Sequence, residues 1–198
     1  MACRHVMEMV TATAEEIVLA TRTWLTTVVI GLNLCPFAQA VHARQQIRYV
    51  VSDANTAEAL LADLLEELKT LAAADPTAID TTLLIHPRVL DDFLDYNDFL
   101  DLADAAIADL GLEREIQVAS FHPRYQFADS GQDDIENYTN RSPYPTLHLL
   151  REASVERALA AFPDAAEIIE RNMETLRRLG LDGWRGLGLD EPRSGAVD

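Results

Sequence analysis

Apolar residues recur at the three- and four-residue spacing of an α-helix in four long stretches of the chain. The first stretch begins at Thr13, which can cap it, and the second spans about 55–74 with Asn55 as its cap. The third spans about 89–110 and ends before a glycine. The last begins at Pro163, a residue favoured in a first helical turn. It is expected to bury five apolar side chains: Ile168, Ile169, Met173, Leu176 and Leu179.

Four shorter segments are rich in apolar and β-branched residues and are predicted to be strands: 48–52, 81–86, 115–121 and 146–150. Because long helices separate the first three strands, we expect those strands to be parallel. The fourth follows a connection of roughly two dozen residues, so it can pair antiparallel to the third. We therefore predict an α/β fold, a single domain with a mixed, mainly parallel four-stranded sheet packed with helices. An α+β two-layer sandwich is the alternative.

The distribution of polar and apolar residues also predicts the limits of this domain. Residues 1–12 are expected to form a flexible N-terminal arm, and residues 13–185 form the single α/β domain. A shorter helical stretch, 154–162, precedes the last long helix. Beyond Trp184 the Gly, Pro and charged residues predict a loose C-terminal tail over 186–198.

The chain is strongly acidic, with 33 Asp and Glu against 16 Lys and Arg and a formal net charge of −17 at pH 7. Such a surface repels phosphate backbones and anionic lipid, so we expect neither a nucleic-acid partner nor a membrane partner. No apolar run approaches the ~18–20 residues that cross a bilayer, and residues 1–13 lack the apolar core of a secretory signal. Two cysteines, Cys3 and Cys35, are too few for a disulfide framework. These features predict a cytoplasmic protein.

The connection between the third and fourth strands, 121–145, carries the densest set of candidate binding residues. It contains five aromatic side chains: Phe121, Tyr125, Phe127, Tyr138 and Tyr144. Arg124 and Arg141 lie among them. Because long connections in compact domains are often functional, and aromatic and cationic groups suit a ligand pocket, Tyr125 and Tyr144 are candidate substrate contacts. The alternative is that the aromatic rings only pack the connection against the domain.

One tripeptide occurs twice, each time at the end of a predicted strand. His86-Pro87-Arg88 ends the second strand, and His122-Pro123-Arg124 ends the third. If these strands are parallel, both tripeptides lie at the carboxyl edge of the sheet, where open α/β sheets bind their ligands. His122 is the best candidate there for a general acid or base.

His148 is a second catalytic candidate, because an antiparallel fourth strand brings its early residues near the end of the third. We expect His148 to approach His122, either to orient it or to share its role. Strand alternation places its ring on the side opposite Leu147 and Leu149. The alternative is a core histidine that bonds to a neighbouring polar group.

Cys35 is a third catalytic candidate, in a neutral segment at the end of the first predicted helix. A nucleophilic thiolate needs a cationic or imidazole neighbour to lower the pKa of its thiol. A buried structural thiol is the alternative, since free cysteine is among the most buried residue types.

Fifteen of the sixteen basic residues are arginines, and three of them lie at the predicted edge of the sheet. Arg88, Arg124 and Arg141 are therefore predicted to hold a carboxylate or phosphate, which the guanidinium fork binds in a bidentate manner. The alternative is that each arginine pairs with one of the many surface acids.

No cofactor is predicted from the sequence, because no local pair of residues has metal-ligand spacing. Three imidazoles, His86, His122 and His148, form a weak alternative as zinc ligands if the fold brings them together. That arrangement predicts a metal-dependent hydrolase.

Three segments resemble those of a bacterial protein family of unknown function. They are GLNLCPFA (31–38), SFHPRYQF (120–127) and NRSPYPTLHLLRE (140–152). The similarity runs from about Ala14 to Trp184. This resemblance implies a bacterial, cytosolic protein, and it implies no activity and no site residues.

The sequence therefore predicts a small-molecule enzyme acting on an anionic substrate at the carboxyl edge of the sheet, with hydrolysis as a reaction that suits these groups. Its catalytic candidates are His122, His148 and Cys35. A non-catalytic module that binds an anionic metabolite or a protein partner is the alternative, since it needs the pocket but no acid, base or nucleophile. The metal-dependent hydrolase is the second alternative.

Overall fold

The computed structural model describes residues 12–161 and 165–189. The strands in these ranges are β1, Ile47–Val51; β2, Thr81–Ile85; β3, Ile116–Phe121; and β4, Thr146–Arg151. The α-helices are α1, Ala14–Trp24; α2, Ala38–Ala43; α3, Ala57–Ala73; α4, Phe93–Asp109; α5, Glu152–Ala161; and α6, Ala165–Arg185. A π-helix, Leu25–Ile30, continues α1, and a 3-10 helix, Ile135–Thr139, lies between β3 and β4. Helix α6 bends at Gly180, whose φ of 65° is a conformation that favours glycine.

The four strands form one sheet in the order β1-β2-β4-β3. Strand β2 is parallel to β1, and β4 is antiparallel to both of its neighbours, so β3 runs in the same direction as β1 and β2. The predicted α/β fold with a mixed four-stranded sheet is therefore confirmed; three of the four strands run in the same direction, but only one of the three strand pairings is parallel. The predicted antiparallel pairing of β4 with β3 is confirmed as well, and β4 also pairs with β2.

The sheet has two faces with different coverings, because side chains alternate along each strand. One face, which we call the α3/α4 face, carries Leu84 and Leu147 and packs against the buried leucines of α3 and the aromatic residues of α4. The other, which we call the α1 face, carries Leu83 and Ile85 and packs against Ile17 of α1. A polar residue on the α3/α4 face therefore lies among the side chains of α3 and α4, and one on the α1 face lies near α1.

Two helices begin later than the sequence pattern predicts. Helix α3 is capped by Thr56 rather than Asn55, because the Thr56 hydroxyl accepts a hydrogen bond from the Ala59 amide at 3.2 Å. Helix α4 begins at Phe93 rather than near Val89, with Asp92 accepting from the amides of the first turn. The residues before Asp92 bond to other parts of the chain, as described below. The predicted Thr13 cap of α1 is confirmed.

The first helix does not keep α-helical geometry to its end. Over Leu25–Ile30 the backbone forms a π-helix, in which an amide donates to the carbonyl five residues earlier. The Gly31 amide, for example, donates to the Thr26 carbonyl at 3.0 Å. Such widened turns are rare and often accompany functional sites. Here the π-helix carries three buried side chains, Leu25, Val28 and Val29, on the side that faces the sheet.

The C-terminal part of the chain agrees only in part with its prediction. Leu176 is buried as expected, whereas Ile169 is 65% exposed, so its place in the buried stripe is wrong. The predicted helix start at Pro163, all but the last residue of the predicted arm over 1–12 and residues 190–198 of the predicted tail over 186–198 lie outside the described residues. Among the helices of the described ranges, none has the length and apolar character needed to cross a membrane.

Candidate functional site

The two His-Pro-Arg tripeptides lie at the same edge of the sheet, as predicted. The His86 amide donates to the Pro145 carbonyl at 3.0 Å, and the His122 amide donates to the Asn140 carbonyl at 3.1 Å. Both imidazoles are fully buried on the α3/α4 face. Each packs against Tyr96 of α4, with ring centroids 5.6 Å apart for His86 and 5.1 Å apart for His122. The recurrence of the tripeptide thus corresponds to a shared structural position.

Side chains of the two tripeptides bind three consecutive carbonyls in the loop between β2 and α4. His86 Nδ1 donates to the Val89 carbonyl at 3.0 Å, and His122 Nε2 donates to the Leu90 carbonyl at 3.1 Å. The Arg124 guanidinium donates to the Asp91 carbonyl. Leu90 has a φ of 58°, a conformation that a leucine adopts only when its surroundings hold it there. These bonds explain why α4 starts only after this loop.

The hydrogen bonds of His122 leave neither ring nitrogen free. Its Nε2 donates to Leu90, and its Nδ1 accepts from the Arg124 amide at 3.0 Å. Burial lowers the pKa of His122 to about 4, so the ring is neutral at pH 7. The arrangement holds the loop in place, and it offers no nitrogen to a substrate.

The predicted anion-binding arginines bind groups of the chain itself. Arg88 forms an ion pair with Asp53 at 3.1 Å, and Arg124 lies 3.2 Å from the Asp91 carboxylate. Arg141 donates to the Tyr125 carbonyl at 3.2 Å and lies over the Tyr138 ring. The paired-arginine alternative therefore describes Arg88 and Arg124, and Arg141 stabilises the long connection.

The end of β1 adds acidic groups to this edge. A groove of about 490 Å³ there is lined in part by four acidic residues: Asp53, Asp63, Glu66 and Glu67. Ser52 donates to the Asp63 carboxylate at 2.6 Å, and Arg48 donates to Glu67 at 2.7 Å. This groove is unfavourable for an anionic ligand, because carboxylates dominate its charged lining.

The aromatic residues of the long connection pack against their neighbours. The Tyr125 ring lies 5.1 Å from both the Phe93 and the Phe127 rings. Asn137 is fully buried, and its Oδ1 accepts from the Phe127 amide at 3.0 Å. Tyr144 packs on the α1 face against the cluster around Leu83. The structure thus separates Tyr125 from Tyr144, because they lie on opposite sides of the sheet.

His148 lies on the α1 face, so the expectation that it approaches His122 is wrong. His148 faces Leu83 on β2 and Ala119 on β3, whereas Phe121 faces Thr146. Alternation then places His122, the residue after Phe121, on the α3/α4 face. The two imidazoles are on opposite faces and cannot share a role.

The hydrogen bonds of His148 fix which ring nitrogen carries the proton. Thr81 Oγ1 donates its single hydrogen to the Leu149 carbonyl at 2.6 Å. The 2.7 Å contact between Thr81 Oγ1 and His148 Nε2 therefore requires that Nε2 donates. Nδ1 is left as an acceptor on a side chain that remains partly exposed. Burial lowers the pKa of His148 to about 4, so this state holds at pH 7.

Two donors in the packing on the α1 side of the sheet have no hydrogen-bond partner within the described part of the chain. They are Nε1 of Trp24 and the hydroxyl of Tyr49, both shielded from solvent. Trp24 packs edge-on against Phe121 at 5.3 Å, and the Phe121 ring lies 6.0 Å from that of His148. The Arg22 guanidinium lies 4.6 Å from the centre of the Tyr49 ring. We call Arg22, Trp24, Tyr49, Phe121 and His148 the α1-face site.

Cys35 lies on the α1 side of the sheet, away from the two tripeptides. It packs, partly buried, against the cluster formed by Trp24 and the π-helix. No hydrogen bond joins its thiol to an imidazole within residues 12–161 and 165–189. The buried-thiol alternative therefore agrees better with its surroundings than the nucleophile does.

The three-imidazole metal site is not formed in the described structure. His86 and His122 lie against α4 on one face of the sheet, and His148 lies on the other face. Across the residues whose placement is described, no three His, Cys, Asp or Glu side chains are grouped as a metal ion would require. The zinc alternative is thus wrong for these three residues.

Sequence patterns did not single out Arg22, Trp24, Tyr49 or Thr81. Trp24 occupies an apolar position of the helical stripe, and Tyr49 and Thr81 are ordinary strand residues. Strand alternation was the available signal, since it places Thr81 and His148 on one face once β4 is paired with β2.

Comparison with known proteins identifies a family and no relative of known activity. The family model described as "Protein of unknown function (DUF1415)" matches residues 16–186. No curated protein and no solved structure matches the chain. The match covers all four strands and every residue of the α1-face site.

Proposed function

The chain belongs to the DUF1415 family, whose function is unknown, and we propose from its own geometry that it is a binding module for a small anionic metabolite at the α1-face site. The observation that carries this proposal is the fixed orientation of His148. Thr81 binds Nε2–H and leaves Nδ1 as an acceptor on a side chain that is partly exposed. Aromatic walls with a few convergent polar groups are typical of small-molecule sites.

The charges around the site favour an anion. Arg22 supplies a cation there: its guanidinium lies on the Tyr49 ring, and it forms no ion pair with an acid among residues 12–161 and 165–189. A local cation in a chain of net charge −17 attracts a small anion by reducing the repulsion around it. The carboxyl edge of the sheet is less favourable for an anion, because its guanidinium groups already bind carboxylates and carbonyls of the chain.

A binding role fits the chemistry of His148 better than acid–base catalysis does. The most effective general base has a pKa near the working pH. With a pKa of about 4, His148 is a weak base at pH 7, but its lone pair is always available as an acceptor. The site therefore recognises a donor group on its ligand without needing to remove the proton.

The test is the binding of four defined anions followed at the His148 ring. Inorganic phosphate, glycerol phosphate, lactate and mandelate are titrated while the ¹⁵N shifts of the imidazole are recorded. We expect at least one of them to shift Nδ1, with binding weakened at least tenfold in His148→Phe, which removes the acceptor. His148→Asn keeps an acceptor near the position of Nδ1 and should restore part of the affinity.

The control is His42→Phe, which changes a histidine on α2 and should leave binding unchanged. The proposal is overturned if none of the four anions shifts the His148 ring. It is also overturned if binding persists undiminished in His148→Phe.

An enzyme of hydrolase type is the second candidate, because the same fixed tautomer is that of a histidine base. In that case Nδ1 takes a proton from a water that attacks an ester of the bound anion. Turnover of p-nitrophenyl acetate or p-nitrophenyl phosphate that disappears in His148→Phe favours the enzyme. Anion binding without turnover favours the binding module.

A further inference from the structure

In the described part of the chain, strand β1 forms one end of the sheet and pairs only with β2. The Ser52 amide, just after β1, donates to the Ile85 carbonyl at 2.8 Å. Backbone groups alternate in direction along a strand, so every second residue bonds to one neighbour and the residues between them face the other way. The amides and carbonyls of Ile47, Tyr49 and Val51 therefore point away from β2, along what we call the free side of β1.

The groups on the free side of β1 are unpaired within residues 12–161 and 165–189, where no hydrogen bond uses them. All five residues of the strand are partly exposed. Proteins usually block such a side with a proline, a charged side chain, a bulge or a covering element. Strand β1 has no proline, and its one charged residue, Arg48, is bound to Glu67 of α3 by hydrogen bonds of 2.7 and 3.0 Å. The free side is therefore a template for another strand.

The groove of about 490 Å³ lies between the end of this strand and α3. Its lining combines residues 50–55 with one flank of α3. Because Arg48 bonds to Glu67 and Ser52 bonds to Asp63, α3 runs alongside β1 in the opposite direction. Helix α4 contacts α3 and also β3, at the opposite end of the sheet. The groove is thus on the flank of α3 that faces the free side of β1, and we call the two together the β1 groove.

The charges of the β1 groove indicate what kind of strand fits there. Two of its four carboxylates, Glu67 and Asp53, are paired with arginines. The other two have no ion pair in the described ranges: Asp63 accepts from the neutral Ser52 hydroxyl, and Glu66 is exposed on α3. A strand with basic side chains toward α3 complements these carboxylates. A second copy of this chain fits less well, because its own α3 would bring the same carboxylates to the groove.

We propose that the β1 groove binds an extended, basic segment of a partner protein, which joins the sheet as a fifth strand beside β1. The backbone of the segment bonds to the amides and carbonyls of Ile47, Tyr49 and Val51. Its lysine or arginine side chains lie against Asp63 and Glu66. This inference is independent of the anion proposed for the α1-face site, since it uses the backbone of Tyr49 and not its ring.

The probe is a heptapeptide with blocked ends in which lysine and valine alternate, beginning with lysine. It is titrated into the full chain, and binding is followed by calorimetry and by amide hydrogen exchange. We expect the amides of Ile47, Tyr49 and Val51 to exchange about tenfold more slowly when the peptide is bound. The Val50 amide, which faces β2, should change little. The same peptide with glutamate in place of lysine should not bind, and added salt should weaken the binding of the lysine peptide.

Methylation of the peptide backbone tests strand pairing without any change to the protein. One version of the probe carries N-methyl groups on its lysines, and another carries them on its valines. Only one of these sets faces β1 in a paired strand. We expect one version to bind about tenfold more weakly than the unmodified peptide, because it loses several hydrogen bonds, and the other to bind almost as well.

The charge complementarity is tested with a pair of matched double variants. Asp63→Asn with Glu66→Gln removes two charges and keeps an acceptor for Ser52, and we expect it to weaken binding of the lysine peptide about threefold or more. Asp98→Asn with Asp101→Asn removes two charges from the exposed surface of α4 and should leave binding unchanged.

Four results would overturn the proposal. The first is that the lysine peptide does not bind, or binds without protecting the amides on the free side of β1. The second is equal binding of the two N-methylated versions, and the third is equal binding of the glutamate peptide. The fourth is protection of these amides in the chain without peptide, which would mean that the free side is already occupied; protection that grows with protein concentration would identify a second copy as the occupant.

Discussion

Two buried imidazoles and a third that is partly exposed predict that the protein loses stability steeply as the pH falls from about 6.5 to about 4. Burial lowers the pKa of His86, His122 and His148 to about 4, against an ordinary value of 6.5. In that interval the unfolded chain binds protons that the folded chain does not. Stability is therefore complete above about pH 6.5 and is lost as the pH falls toward the folded-state values.

The size of the effect follows from these values. The difference between 6.5 and about 4 corresponds to about 3 kcal/mol for each fully buried imidazole. His148 is partly exposed and contributes less. Near pH 5 the free energy of unfolding should fall by about 3 kcal/mol per pH unit, since roughly two to three protons are taken up on unfolding. A typical domain has only about 5–15 kcal/mol in total, so the protein should unfold in mild acid.

Urea unfolding followed by circular dichroism at pH values from 8 to 5 measures this slope. We expect little change between pH 8 and 7 and a steep loss below pH 6.5. His148→Phe removes one of the three groups, so the slope near pH 5 should decrease by up to about a third. A stability that is constant from pH 7 to pH 5 would refute the reasoning, because the imidazoles would then titrate alike in the folded and unfolded chain.

Two matched pairs of variants test hydrogen bonds of the structure. Arg124→Ala removes a half-exposed donor to the Asp91 carbonyl and should cost about 0.5–1.5 kcal/mol of unfolding free energy in urea, whereas Arg88→Ala breaks only an ion pair of the same exposure and should cost less than about 0.5 kcal/mol; equal effects would contradict the role of Arg124 in holding the loop. Thr82→Val removes a buried hydroxyl that has no partner among the residues the structure describes and should raise the melting temperature, whereas Thr81→Val removes a hydroxyl bonded to two groups and should lower it. Calorimetric melting of both variants decides this, and a destabilised Thr82→Val would show that its hydroxyl has a partner.

Strand positions and sheet pairing were predictable because they depend on apolar pattern and connection length. All four predicted strands are present. Five of the eight predicted strand ends differ from the observed ends by one residue, and the other three agree. The recurrence of His-Pro-Arg correctly placed two tripeptides at one edge. These features are local or follow from topology alone, so a single sequence contains them.

The function of the tripeptides was not predictable in the same way. Their partners are the carbonyls of residues 89–91, and every residue has a carbonyl, so no sequence signal distinguishes these three. The choice between Asn55 and Thr56 as helix cap was similarly open, since both side chains can accept the same bond. Only the backbone position of the two residues in the folded chain decides which of them caps the helix.

The misplacement of His148 had a different origin, because strand alternation places it correctly only once the register of β3 and β4 is known. Once β3 and β4 are antiparallel, the pairing of Phe121 with Thr146 determines the face of every other residue on both strands. His148 shares the face of Thr146, and His122 follows Phe121 onto the opposite face. The register, which depends on where the long connection rejoins the sheet, was the missing quantity.

The state of the His148 ring at pH 7 tests the central claim most directly. A long-range ¹H–¹⁵N spectrum of the full chain distinguishes the two neutral tautomers and the imidazolium. The structure predicts a neutral ring protonated at Nε2, with Nδ1 bare, and a loss of this tautomer preference in Thr81→Val. A ring protonated at Nδ1, or a charged imidazolium at pH 7, would contradict the account, since His148 would then have no acceptor to offer a ligand.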